Sequence, residues 1–430
     1  MPTVSSVFRR SRQALFATLV LLLILISVGR GDHVSDLRIA AGAYEQDIAR
    51  WEITHFMDKW LRRLGDIVLP GTPNAQQRAA AVSEFFALRD ELTGASDDVE
   101  RALATQANAD APQQALDALL GRRAKLQSVV EETLEGAITQ AVRDLGVIDS
   151  LGPVQWPPVD FTFEKRGLVL VRSPRDAIER LDDLLLDPGV SLPDQMGIER
   201  EVEALDDNTA ALSVRIGGVA TYPAQVSPDR SLHGTLELVA HEWLHHWLIF
   251  RPLGRKVLAG GELQSINETV ANIAAQEIGD RALELLTGEV VHRPAWIPPS
   301  GRERDEAPSD EFDGRREMRA TRLALDALLD DGRVAEAEAY LEKRRLEFVA
   351  NGFNIRKLNT AWFAFNGTYA DSPESISPIE GQLRAIRADV GDLAAFLDRV
   401  AGVDRVGQLE ALALDAGWQP IDTTTGLLLR

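Results

Sequence analysis

Apolar positions recur three and four apart in the first third of the chain, at Ile48, Trp51, Phe56 and Trp60 and again at Leu116, Leu119, Leu120 and Leu126. That period predicts amphipathic helices over residues 32–150, broken at Pro70-Gly71-Thr72-Pro73-Asn74 and with a second helix start at Gly94-Ala95-Ser96-Asp97. The pattern changes at Gly152-Pro153 and Trp156-Pro157-Pro158. Beyond it, Val159 to Phe163 alternates and Leu168 to Val171 runs apolar, as strands do; Asp176 to Leu186 reads as helix, and Ala211 to Val226 as one or two more strands. The apolar run Val239-Ala240-His241-Glu242-Trp243-Leu244-His245-His246-Trp247 is long enough for a buried helix, starting near Ser231 and ending before Pro252. A second helix follows the turn at Gly260-Gly261. Residues 293–316, rich in Pro, Glu, Asp and Arg, read as an exposed linker or lid. Helical patterning then returns to the end, interrupted near Gly352 and at Ser372-Pro373, without a fixed repeat period.

These elements add up to an α+β protein, predominantly α-helical, with a small sheet flanking a two-helix unit and helical regions on both sides. The expected organisation is a helical region 32–150, a core 151–290, a linker or lid 291–316 and a C-terminal helical region 317–430. At the start, Arg9, Arg10 and Arg12 precede an uncharged apolar run from Gln13 to Gly29 without a good small-residue cleavage pattern. The expectation is a membrane anchor over 13–31, with residues 1–12 cytoplasmic and the remainder a single-pass, extracytoplasmic protein.

Composition narrows the function classes. The chain of 430 residues is 45% hydrophobic and 26% charged, which suits a folded protein with a sizeable core. Its net charge of -20 argues against nucleic acid as a partner, because phosphates need a basic face. With Cys at 0, disulfides, thiolate metal sites and a Cys nucleophile are all excluded.

The chemistry lies in His241-Glu242-Trp243-Leu244-His245. On a helix, His241 and His245 differ by about 40° around the axis and roughly 6 Å along it, so both imidazoles reach one ion. Glu242, offset by about 100°, stands beside the metal, where a base must be to take a proton from a zinc-activated water. A third ligand is available in Asn267-Glu268-Thr269-Val270-Ala271-Asn272 on the second helix: Glu268, with Asn272 one turn on to hold a ligating imidazole by its other nitrogen. Glu262 is the rival ligand, but an acidic residue in a first helical turn is explained by the helix dipole. His246 and His233 read as packing, capping or satisfied histidines.

The paired segments His-Glu-Trp-Leu-His and Asn-Glu-Thr-Val-Ala-Asn resemble the two-helix zinc site of the gluzincin metallopeptidases, thermolysin and its relatives. More loosely, Leu358-Asn359-Thr360-Ala361 followed by Phe365-Asn366-Gly367-Thr368-Tyr369 is similar to a segment of predicted membrane-anchored bacterial aminopeptidases. The resemblance implies Zn2+ on His241, His245 and Glu268, Glu242 as base, and hydrolysis of a peptide or protein substrate, with aminopeptidase action as a specific form. By analogy with gluzincins that use a distant tyrosine, Tyr369 is the expected donor to the oxyanion, with His292 as the alternative. An aminopeptidase needs a carboxylate for the substrate amine, and Glu262 and Glu237 are the candidates. In gluzincins the strand nearest the zinc helix pairs with extended substrate, and Gly218 to Tyr222 resembles it in position. The competing expectation is a non-catalytic, membrane-anchored scaffold with a structural or degenerate zinc site. Against it stands Glu242, which a structural site closed by four protein ligands does not need.

Overall fold

The computed structural model describes residues 36–55, 59, 73–105, 108–147, 150–151, 154–255, 261–294, 312–370, 372, 375 and 377–420. The described chain is α+β and predominantly helical, as the periodicity predicts. After α1 (Asp36–Ala41), two long helices, α2 (Ala75–Ala104) and α3 (Asp110–Asp144), pack against each other. Helix α2 runs straight through Gly94–Asp97, where a second start was expected. A single interior glycine costs only about 1 kcal/mol, and the surrounding Ala, Leu and Glu residues favour helix.

A hairpin of β1 (Ser150–Leu151) and β2 (Val154–Gln155) leads into two three-stranded sheets. The first sheet places β4 (Leu168–Pro174) between β5 (Asp182–Leu186) and β6 (Thr209–Arg215), all antiparallel. Leu168 and Leu170 face one apolar cluster with Leu184, Leu186, Ile198 and Val202, whereas Val169 and Val171 face another with Leu212, Ala361 and Phe365. Burial of both faces explains why β4 is a continuous apolar run. It also corrects the helix expected over Asp176 to Leu186. Residues 182–186 instead pair with β4, with Leu184 and Leu186 turned inward and Arg172 joined to the opposing Asp182 at 2.8 Å. Strand pairing is non-local and overrides local helical patterning.

In the second sheet, β3 (Phe161–Phe163) runs parallel to β8 (Ala224–Val226), and β8 pairs with the edge strand β7 (Gly218–Val219). The other side of β3 is closed by carboxylates from α3. Glu135 accepts from the Phe161 N–H at 3.0 Å, and Glu131 from the Phe163 N–H at 2.8 Å and the Thr162 hydroxyl at 3.0 Å.

Beyond α4 (Leu192–Glu203), helix α5 (Leu232–Leu248) begins where expected, with Ser231 Oγ accepting from the Gly234 N–H, and ends before the short α6 (Pro252–Arg255). Helix α7 (Gly261–Thr287) packs along it. The C-terminal part comprises α8 (Gly314–Asp330), α9 (Val334–Ala350), α10 (Thr360–Asn366), α11 (Ile379–Asp389), α12 (Leu393–Val400) and α13 (Val406–Asp415). One apolar core draws on α2, α3, α5, α7 and α11 to α13, so residues on both sides of position 150 share it. Most of the expected linker, residues 295–311, lies outside the described residues.

The single-pass membrane expectation, and the extracytoplasmic placement built on it, do not stand. Among the described residues no helix is long and apolar enough to cross a membrane. The two longest, α3 and α2, carry charged residues along their whole length. The run 13–31 lies outside the described residues.

Glu199 of α4 ties this architecture together. Its carboxylate, 3% exposed, accepts from the Ser213 N–H of β6 at 2.7 Å and from the Ser213 hydroxyl, and it pairs with Arg356 and Lys357 ahead of α10. Burial alone would raise its pKa, but the Arg356 and Ser213 hydrogen bonds outweigh burial and hold it below the ordinary carboxylate value. Glu199→Gln is expected to destabilise the fold at neutral pH by about 3 kcal/mol in denaturant unfolding, because two cations lose their buried partner. A carboxylate with a lowered folded pKa stabilises above its unfolded pKa and stops doing so as pH falls through the folded value. The gap between parent and variant should therefore close in acid; a gap that is constant with pH counts against the assignment.

Candidate active site

Helices α5 and α7 bring three ligand-type atoms to one point. His241 and His245, one turn apart on α5, place their Nε2 atoms 3.0 Å from each other. Glu268 Oε2, from α7, lies 3.3 Å from the first and 3.5 Å from the second. A tetrahedral zinc with bonds of about 2.0–2.1 Å sets its ligands roughly 3.3–3.4 Å apart, so this triangle has the size of one face of that tetrahedron. Three acceptor atoms repel one another at this separation unless a proton or cation lies among them.

The tautomer also suits a metal. The Asn267 side-chain oxygen Oδ1 lies 2.8 Å from His245 Nδ1, so that nitrogen donates and leaves Nε2 with its lone pair facing the triangle. The expected holder, Asn272, lines the same cavity, but the hydrogen bond to His245 comes from Asn267. His241 Nδ1 is buried without a hydrogen-bond partner. The residues therefore fit zinc, with His241, His245 and Glu268 as the holding set.

The protein's own groups strongly perturb this cluster. Burial disfavours the His245 imidazolium, yet Glu268 beside it prevails and pushes the pKa up to about 9. Glu268 moves the opposite way: burial would raise it, but His245 and His241 hold it well below the carboxylate range. Burial raises Glu242, against the pull of His241, His245 and Arg230. His246 is driven down to about 4 by burial; its Nε2 lies 2.8 Å from the Thr221 carbonyl oxygen, so the neutral ring donates there, while its Nδ1 is buried without a hydrogen-bond partner among the described residues.

Glu242 is buried against β7. A Cβ on Gly218 would lie 2.8 Å from Glu242 Cδ and closer still to Oε1, so any side chain there would push the carboxylate from its place. The cavity between strand, helices and α10 measures about 630 Å3 and is lined by His241, Glu242, His245, Glu268, Asn272 and Tyr369. All six expected site residues thus line one cavity, Tyr369 from a segment about a hundred residues beyond Glu268. His292 is exposed and does not line the cavity; nor does Glu262, exposed on the first turn of α7. Glu237 lines it but is paired with Arg293 and lies 3.5 Å from His233 Nε2. A second grouping of His233, Glu237 and Asp280 is occupied by that same guanidinium, with Arg293 Nε 2.6 Å from Asp280.

Sequence reasoning missed Asn267 and the two arginines of the cavity wall, Arg180 and Arg230. Neither Asn267, whose bond to His245 spans two helices, nor the arginines carry a local signal. The purified chain is expected to hold about one zinc, and His241→Ala and Glu268→Ala to lose it while staying folded. Asn267→Ala should weaken zinc binding about 10- to 100-fold, as loss of a partner to a ligating imidazole does. Metal analysis and competition with a chelating dye decide this; variants with parental affinity remove the assignment. Compared with protein-family models, curated proteins and solved structures, the chain matches none.

Proposed function

We propose that this chain is a zinc-dependent peptidase of gluzincin-like design, hydrolysing peptide bonds of peptide or protein substrates. One observation carries it: His241, His245 and Glu268 converge in a triangle of tetrahedral dimensions with Glu242 buried beside it, outside the ligand set, on the wall of an open cavity. A structural site has no use for such a base or such a cavity.

His241, His245 and Glu268 would hold the zinc, which would supply Lewis acidity toward a water and a substrate carbonyl. Glu242 takes the proton of the attacking water and passes it to the leaving amine. Burial raises the Glu242 pKa above the ordinary carboxylate value, the direction that strengthens a general base. Asn267 fixes the His245 ring. Strand β7 is an edge strand beside Glu242, and an edge offers its main chain to an extended peptide. Tyr369 lines the cavity and has the hydroxyl to donate to the developing oxyanion.

Glu242→Gln is expected to keep zinc and fold while losing about a hundredfold to ten-thousandfold in peptide hydrolysis, the contribution of a general base. Equal turnover by parent and variant at matched zinc content would refute the role. Gly218→Val should act through the same carboxylate: zinc content holds while the rate falls, because the added side chain displaces Glu242. A Gly218→Val protein as fast as the parent would place the base elsewhere.

A further inference from the structure

The charges lining the cavity are unevenly used. Among the described residues its carboxylates are Glu237, Glu242 and Glu268. The last two belong to the reaction machinery, and Glu237 is held by Arg293, so none is left to receive a substrate ammonium group. The cations differ. Arg230, just before the α5 cap, is exposed and makes no hydrogen bond or ion pair among the described residues, its charge acting through space on Glu242. Its guanidinium stands against Gly217, where a Cβ would lie 2.8 Å from Nη2. Arg180, on the turn between β4 and β5, has a side chain 19% exposed. It lies over the Phe365 ring at 5.4 Å and gives one nitrogen to Asp183, yet its Nε is buried without a partner. Both arginines line the cavity, and the planar fork of arginine matches a carboxylate.

We propose that Arg180 and Arg230 hold a carboxylate of the substrate, so that this cavity selects acidic peptides, through either the C-terminal carboxylate or an Asp or Glu side chain. This rests on the peptidase reading and reverses the aminopeptidase form of it, since the unspent charge in the cavity is positive. A peptide carboxylate in the cavity would meet the guanidinium of Arg230, which no described residue pairs, and the charge of Arg180 on the same wall.

The test uses the full chain loaded with zinc and carrying Glu242→Gln, with calorimetric binding of short synthetic peptides. Each peptide is compared as the free acid, as the C-terminal amide, with Glu replaced by Gln, and N-acetylated. Removing the recognised carboxylate is expected to weaken binding about tenfold or more, as loss of a charge-assisted pair does. Whether amidation or Glu-to-Gln replacement has that effect identifies the source of the carboxylate. Adding Arg180→Gln or Arg230→Gln should bring acidic and neutral peptides to within about twofold of each other, with Arg180→Lys restoring part of the difference. Arg230→Gln, on an exposed and unpaired side chain, keeps the test open should Arg180 variants not fold. Neutral peptides binding as tightly as acids, weakening on N-acetylation alone, or no peptide binding at all would overturn the proposal. Parallel cleavage assays with the parent separate the two ideas. Acid-selective binding without hydrolysis sinks the peptidase reading alone, and hydrolysis without acid preference sinks the carboxylate clamp alone.

Discussion

Two imidazoles and a carboxylate held within 3.5 Å of one another in the seam between α5 and α7 are the constraint on which the rest of the structure depends. Buried ionisable groups are tolerated only when paired and hydrogen-bonded, so the seam must be tight and its geometry fixed. Tightness comes from apolar packing on both flanks, with Leu244 and Leu248 on α5 and Ile266, Val270 and Ile273 on α7 fully or almost fully buried. Close approach also requires Gly279, where a Cβ would lie 2.7 Å from Glu237 Cγ and 3.0 Å from its backbone nitrogen. Helices α3 and α11 to α13 wrap the pair from outside, which is why one core spans sequence regions so far apart. Ion pairs such as Arg281 with Asp144 and Arg387 with Glu277 fasten that wrapping at its rim.

The second requirement is to place a strand and a distant tyrosine against this seam. A chain of contacts does the first: Glu131 and Glu135 of α3 hold β3, β3 holds β8, β8 holds β7, and β7 sets Gly218 against Glu242. The tyrosine arrives by another route. Glu199 draws in Arg356 and Lys357, and α10 then lays Ala361 and Phe365 on the outer face of β4 and β6, leaving Tyr369 at the cavity wall. Buried carboxylates thus work as joints in two places away from the chemistry, each accepting backbone N–H groups that the strands leave unpaired.

What was legible in the sequence was what local geometry fixes. The His-Glu-x-x-His spacing sets two rings on one helix face whatever surrounds it, and the Ser231 cap dates the start of that helix to within a residue. Glu268 was legible because the turn at Gly260-Gly261 marks the start of a second helix that carries it. Asn267 was not, because helical spacing from Glu268 points to Asn272, while the hydrogen bond to His245 depends on how two helices are set against each other. Residues 182–186 failed for a related reason: only the presence of β4 distinguishes Asp-Asp-Leu-Leu-Leu as strand from a helical turn. Arg180 and Arg230 are two among 46 basic residues, and nothing in their neighbourhood separates them before the fold closes.

Those two arginines also reconcile a local preference with an unfavourable global field. A chain of net charge -20 repels an acidic peptide at a distance. At physiological ionic strength that repulsion is screened beyond about 8 Å, whereas a guanidinium in contact with a carboxylate, partly shielded from water, is screened far less. Recognition of an acidic substrate on such a surface must therefore be short-ranged and geometric, set by the planar fork of Arg180 over Phe365 and by the exposed Arg230 rather than by attraction from afar. Affinity of that kind gains little from electrostatic steering, so added salt should speed the approach of an acidic peptide even as it weakens the exposed half of the clamp.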